Sequence, residues 1–314
     1  MIKRAFITGG SGFIGSRLAH RLVEMGIETH LSIREHSNLW RLQPFQSKLY
    51  LHVVDLCDQE RVDDVVRDIQ PDCVVHSACY GGFSEENHPL NIFNTNLLAT
   101  QFLLESCTKS SIEKFIYLGS SSEYGLQSEP ITEETAAHPV SLYGIAKLAA
   151  TQLTQFYARQ RALPATVLRI FSPYGPFDSS KRLIPQVIKS SLLHQPLILG
   201  SGKQVRDFIY IEDLIDAVLL SLHHSSSNGE IMNVGSGIQR CVYETVQSLG
   251  TLLEHPIQAI WNGHQDRDNE PVSWVADIAK AKRILGWSPQ TPFNTGLNAT
   301  IEWIKSREKI NESL

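Results

Sequence analysis

Cysteine is scarce in this chain and follows no pattern. The five residues, Cys57, Cys73, Cys79, Cys107 and Cys241, are odd in number and form no C-x-x-C pair. A disulfide framework and a zinc knuckle are therefore both excluded as organising devices, and no metal is expected. No apolar run approaches the roughly 20 residues a membrane-spanning helix needs, so no membrane partner is expected. Basic charge is also short: 28 Lys and Arg against 33 Asp and Glu leave a net −5 at pH 7. That balance argues against nucleic acid or an anionic bilayer as the principal partner. Met1-Ile2-Lys3-Arg4 opens like a secretory leader, but the apolar stretch stops at Gly9-Gly10 without a small-residue cleavage site. A reducing, cytoplasmic location is the expectation.

What is present is a regular alternation. Apolar runs at Arg4 to Thr8, Thr29 to Ile33, Tyr50 to Val54, Cys73 to His76, Lys114 to Leu118 and Thr166 to Phe171 read as short buried strands. Amphipathic stretches at Ser16 to Met25, Asp58 to Ile69, Asn91 to Cys107 and Ser141 to Arg161 read as the helices between them. The pattern predicts an α/β, doubly wound parallel sheet of Rossmann type with a smaller carboxy-terminal substrate-binding lobe. After Phe171, Pro and Gly loosen the rhythm, and Ile231 to Val234 reads as one more sheet strand. The expected division is 1–172 with 207–234 for the dinucleotide-binding domain and 173–206 with 235–314 for the lobe, within a 314-residue chain.

Thr8-Gly9-Gly10-Ser11-Gly12-Phe13-Ile14-Gly15 falls between a predicted strand and a predicted helix. Glycines at 9, 12 and 15 let backbone N–H groups approach a pyrophosphate at the positive end of that helix. At the end of the second strand, where an acidic residue would grip the ribose of NAD, the chain has Ile33-Arg34, with Ser37 and Arg41 close behind. A guanidinium there suits the 2′-phosphate of NADP, so NADP(H) is preferred and NAD stays possible. Asp55, with Leu56, lies where it can touch the adenine, or equally where it can cap the following helix.

Tyr143 and Lys147 are four residues apart on a predicted helix and so share a face. An ammonium beside a phenol favours the phenolate and opens a route for a proton. Ser120 leaves the end of a strand, where open α/β sheets bind ligands, and its hydroxyl can orient a substrate oxygen. Asn96 reads either as a contact near this site or as a satisfied helix residue, and His76 as a structural histidine with no metal partners at suitable spacing.

These residues resemble a family, the extended short-chain dehydrogenases/reductases that modify nucleotide sugars. The likeness extends over nearly the whole chain. It includes His76-Ser77-Ala78-Cys79, Gly119-Ser120-Ser121-Ser122-Glu123-Tyr124-Gly125, Arg169 to Pro176, Gly202 to Phe208, Asn233 to Gly237 and Leu285 to Pro289. The resemblance implies that Phe13, Ile14 and Ala78 join the cofactor contacts. It implies that Arg206 and Arg267 hold the diphosphate or nucleotide and that Leu183-Ile184-Pro185 lines the base pocket. Ser122 and Ser172 are expected to contact the sugar, and a homodimer is implied through the Tyr143 helix and the helix after His88.

Departures from the family narrow the reaction. The 4,6-dehydratases carry an Asp-Glu pair after the catalytic hydroxyl, where this chain has Ser121-Ser122. The fucose synthases have an epimerising Cys and His, where it has Ser122 and Phe177. The pattern is most similar to 4-keto-sugar reductases acting on nucleotide-linked 6-deoxyhexoses. A 4-epimerase using NAD is the alternative, and a noncatalytic nucleotide-sensing regulator is a third reading that the retained Ser120, Tyr143 and Lys147 oppose.

Overall fold

A computed structural model describes residues 2–83, 85–253, 257–263, 265 and 271–311. The first half alternates β1 (Arg4–Thr8), α1 (Phe13–Glu24), β2 (Glu28–Ile33), β3 (Leu49–Val53), α2 (Gln59–Ile69) and β4 (Cys73–His76). It continues through α3 (Pro89–Phe93), α4 (Ala99–Thr108), β5 (Lys114–Ser120), α5 (Leu142–Gln160) and β6 (Ala165–Ile170). The second half runs β7 (Ser172–Tyr174), α6 (Leu183–Leu192), β8 (Leu197–Ile198), β9 (Val205–Tyr210), α7 (Ile211–His223) and β10 (Ile231–Val234). It ends with β11 (Gln239–Cys241), α8 (Val242–Leu253), β12 (Ala259–Ile260), α9 (Ala279–Leu285) and α10 (Phe293–Asn311).

Seven of these strands form one sheet in the order β10-β6-β5-β4-β1-β2-β3, every neighbouring pair parallel. Parallel strands need cover on both faces, and β1 shows how the sequence meets that need. Its side chains leave alternately: Ile7 packs with Leu18, Leu22, Leu214 and Val218 under α1 and α7. Phe6 packs with Val62, Val66 and Leu103 under α2 and α4. Both are fully buried, and each such side chain stabilises the fold by roughly 1.5–3 kcal/mol. The chain's direction of winding reverses between β1 and β4, which opens a crevice beyond their carboxyl ends.

The Pro- and Gly-rich second half builds separate layers. β9 pairs with β7 in parallel and with β11 antiparallel, and β8 pairs with β12. Val187 and Ile188 of α6, Val246 and Leu249 of α8, and Leu297 and Ile301 of α10 form their own core.

Most element bounds differ from the periodicity reading by one or two residues, and two elements depart further. α1 begins at Phe13 rather than Ser16, because Gly12 already serves as its N-cap. The single helix expected over Asn91 to Cys107 is instead α3, a π turn over Asn94–Leu98, and α4. π turns are rare and are found mostly at functional sites.

Candidate active site

The loop from β1 to α1 is shaped by its glycines. Gly9 holds φ +66°, and a Cβ there would lie 2.7 Å from the Cα of Ala78, in the segment that leaves β4. At Gly15 a Cβ would lie 2.5 Å from the carbonyl oxygen of Gly9, so only glycine lets α1 start against the loop. Gly12 caps α1 without a side chain, which leaves the first-turn N–H groups of Phe13 and Ile14 free of helical partners. That arrangement fits a diphosphate: unpaired amides, the positive end of a 12-residue helix and no side chain in the way.

Beyond β2, Arg34 is exposed and makes no ion pair among the described residues, and its N–H donates to Ser37 Oγ at 2.8 Å. Arg41 is held between the glycine loop and the lobe, its Nη1 donating to the Ser11 carbonyl at 3.5 Å. Its Nε donates to the carbonyl of Phe177 at 2.8 Å, and its guanidinium stacks on Trp40. Asp55 does not cap α2: its carboxylate accepts from Cys57 N–H at 2.9 Å. Asp58 is the cap, accepting from Arg61 N–H at 3.2 Å, because it immediately precedes the first helical residue. Leu56 packs against the α2 side of the core.

His76 is buried between the hydroxyls of Thr8, at 2.6 Å, and Thr100, at 2.9 Å. Burial pushes its imidazole down to about 3, so it is neutral and structural. Asn96, in the π turn, clasps the backbone of Tyr80: its amide donates to the Tyr80 carbonyl at 2.6 Å and its oxygen accepts from Tyr80 N–H at 3.1 Å. It thereby fixes the segment that leaves β4 and passes the crevice.

Ser120 ends β5 and caps the short 3-10 turn Ser121–Glu123, its Oγ accepting from Ser122 N–H at 3.1 Å. Tyr143, on the first turn of α5, brings its phenol within the influence of the Ser120 side chain. Lys147 follows one turn later, nearly fully buried, with Nζ donating to the Leu118 carbonyl at 2.5 Å. Burial and the neighbouring Cys79 raise the phenol of Tyr143, whereas the Ser120 side chain and the Arg182 charge pull it down. Ser120 and Arg182 are thus groups that favour the phenolate. Lys147 is itself lowered by burial.

These groups face a cleft of about 1490 Å³. Ile14, Ser120, Ser122, Tyr143, Lys147, Ser172, Leu183 and Arg206 all line it, so the crevice gathers residues more than 190 positions apart. Arg267 lies outside the described residues. Four further lining residues were not apparent from sequence: Cys79, Asp178, Arg182 and Trp274. Arg182 precedes α6 and stacks on Phe83, while Lys181 pairs with Glu85 across the cleft mouth. Asp178 is 7% exposed, and burial pushes its carboxyl up to about 7 against the pull of Arg182. Among the described residues no group of three His, Cys, Asp or Glu could hold a metal. No helix of the described residues is long and apolar enough to cross a membrane.

Comparison with known proteins gives consistent results. The model of the NAD dependent epimerase/dehydratase family matches residues 5–235. A dTDP-glucose 4,6-dehydratase of Haemophilus influenzae is 28% identical over 95% of this chain and 96% of its own length. Among solved structures, a UDP-glucose 4-epimerase of Thermotoga maritima with UDP-glucose superposes with a TM-score of 0.91 at 26% identity, covering 97% of this chain and 99% of that one. A UDP-glucuronic acid 4-epimerase of Bacillus cereus, in complex with UDP-glucuronic acid and NAD, gives 0.87 at 28% identity with the same coverage.

Proposed function

The chain belongs to the NAD dependent epimerase/dehydratase family, enzymes acting on nucleotide sugars, and from that premise we propose that it is an NADPH-dependent reductase of the 4-keto group of a nucleotide-linked 4-keto-6-deoxyhexose. The observation that carries the choice of cofactor is Arg34: a guanidinium without an ion pair among the described residues stands at the end of β2, where an acidic side chain would select NAD. NADPH is a consumable reductant in most cells' chemistry, so selecting it favours net reduction over internal hydride return.

A bound nicotinamide would supply hydride to C4 of the sugar. The protein's own groups supply the rest. Ser120, its oxygen held by Ser122 N–H, orients the substrate carbonyl oxygen. Tyr143 gives that oxygen a proton, and Lys147 adds positive charge behind it and holds the ribose. Gly9, Gly12, Phe13, Ile14, Gly15 and Ala78 form the diphosphate cradle, Arg34 and Ser37 the 2′-phosphate end, and Asp55 and Leu56 the adenine side. Ser122 and Ser172 contact the sugar, and Leu183 and Arg206 the nucleotide. Serines at 121 and 122 offer no acid and base for water elimination, which supports reduction over dehydration.

The division into 1–172 with 207–234 and 173–206 with 235–314 is kept as the cofactor and substrate halves. A homodimer through α3 and α5 is also proposed, because these helices pack together and leave Leu90, Ile145 and Phe156 exposed.

A second reading, 4-epimerisation with retained NAD, draws on the epimerase structures above, whose fold this chain shares. Purified protein mixed with NADPH and a panel of nucleotide-linked 4-keto-6-deoxyhexoses decides between the two. Loss of nicotinamide absorbance with one of them supports reduction. Tightly carried NAD with epimer interconversion and no added reductant would replace it by the second reading.

A further inference from the structure

Behind Ser120 lies a buried ion pair. Glu123 has no exposed surface and Arg169 is 3% exposed, and Arg169 Nε donates to Glu123 Oε2 at 2.7 Å. The other carboxylate oxygen, Oε1, accepts from the backbone N–H of Ser120 at 2.8 Å. Arg169 is anchored in turn: it comes from β6, alongside β5, and its guanidinium lies 4.4 Å from the ring centroid of Tyr124. The Tyr124 hydroxyl donates to Asn233 on β10 at 2.7 Å. The arrangement therefore ties three sheet strands to one amide.

Desolvating a carboxylate and a guanidinium is costly, and replacing such a pair by apolar groups is often neutral or stabilising. Stability alone gives little reason to keep it here. Gly119 supplies a second observation. A Cβ at that position would lie 2.7 Å from Glu123 Oε1, so the glycine leaves room for the carboxylate to reach Ser120.

We propose that Glu123, anchored by Arg169, is a positioning residue of the catalytic set, holding the backbone of Ser120 so that its hydroxyl meets the phenol of Tyr143. The proposal rests on the reading of Ser120 and Tyr143 as the catalytic pair. Two hydrogen bonds then fix Ser120, one donated by its amide to Glu123 and one accepted by its oxygen from Ser122 N–H. The Glu123 charge also reaches Tyr143 and Lys147, and Cys79, Arg182 and Tyr117 are the other titratable or charged groups facing that phenol.

The test separates the hydrogen bond from the charge. In Glu123→Met/Arg169→Met both charges leave together and no acceptor remains for Ser120. In Glu123→Gln/Arg169→Met the acceptor returns without the charge. The expected result is a kcat loss of about ten- to hundredfold in the first, with KM little changed, and recovery of most of it in the second. With selective 15N-serine labelling, the Ser120 amide should lose its hydrogen-exchange protection in the first and keep it in the second. Gly119→Ala in the otherwise unaltered chain should mimic the first double variant, and should cost little more when added to it.

Equal kcat in the two folded double variants would overturn the proposal, as would additive losses on introducing Gly119→Ala. Tyr143→Phe is the control for the underlying reading: if it retains full activity, the catalytic pair has been misassigned, whatever Glu123 does.

Discussion

Lys147 places its ammonium 2.5 Å from the carbonyl oxygen of Leu118 and 4.2 Å from the ring centroid of Tyr117. A helix side chain is thereby locked onto the strand that carries Ser120 two residues later. Lys147→Met keeps most of the apolar stem and removes the charge. Activity should fall by about 10²–10⁴-fold, as for loss of a proton-transfer group. Tyr143→Phe should show a similar loss with KM little changed, because in the proposed reaction the missing hydroxyl would act on the reacting oxygen. Steady-state kinetics on the two variants checks both, and a loss confined to KM would count against a role in proton transfer.

Asn96 makes a different kind of contact. Its side chain satisfies both backbone groups of Tyr80 and reaches back to the Ile92 carbonyl at 2.9 Å. Asn96→Leu has nearly the same size and none of these bonds, so the Tyr80 peptide loses its partner in a partly buried setting. A stability loss of about 1–3 kcal/mol is expected. Urea unfolding measures it, and an unchanged midpoint would show that the clasp contributes nothing.

The Rossmann half was legible because its signals are local. The glycine loop, the Tyr143–Lys147 spacing and the 2.0 and 3.6 periodicities each occupy one short window. Arg182 and Asp178 were not legible, since they sit in the segment after Phe171, where prolines and glycines erase periodicity and only tertiary packing sets position. The π turn at Asn94–Leu98 was read as plain helix, because the apolar spacing there is helical and the extra residue shows only in the i→i+5 hydrogen bond from the Ala99 N–H to the Asn94 carbonyl. Asp55 and Asp58 look alike as caps from sequence. The deciding fact is where α2 begins, and helix starts are the least certain part of any pattern reading.

The raised carboxyl of Asp178 has a consequence for stability. Its folded value of about 7 exceeds the ordinary 3.8, so between pH 4 and pH 7 the native state holds a proton that the unfolded chain has released. Its contribution is present at low pH and is lost as pH rises through 7. Asp178→Asn removes that dependence. The variant should therefore gain on the parent protein between pH 5 and pH 8, as measured by chemical denaturation at each pH. Parallel stability curves for the two proteins would exclude a raised Asp178 carboxyl.

The apolar residues left exposed by α3 and α5 give a prediction about assembly. Leu90 is 66% and Phe156 49% exposed, on helices that pack side by side. Phe156→Glu puts a charge on that face and should shift the protein to the mass of a single chain by sedimentation, without loss of fold. A single-chain mass for the parent protein itself would remove the dimer.

Arg34 offers the sharpest test of cofactor choice, because it is exposed and its guanidinium can be changed without disturbing the core. Arg34→Asp replaces a group suited to a phosphate by one suited to two ribose hydroxyls. A hydrogen bond to a charged group contributes roughly 1.5–3 kcal/mol, so kcat/KM for NADPH should fall by about ten- to a hundredfold. NADH should gain at the same time, since the new carboxylate accepts from the 2′-hydroxyl that the phosphate no longer occupies. The ratio of the two kcat/KM values is the informative quantity, as it cancels any general damage to the enzyme. If that ratio is the same before and after the substitution, the 2′-phosphate does not sit beside β2, and the argument for net reduction loses its support.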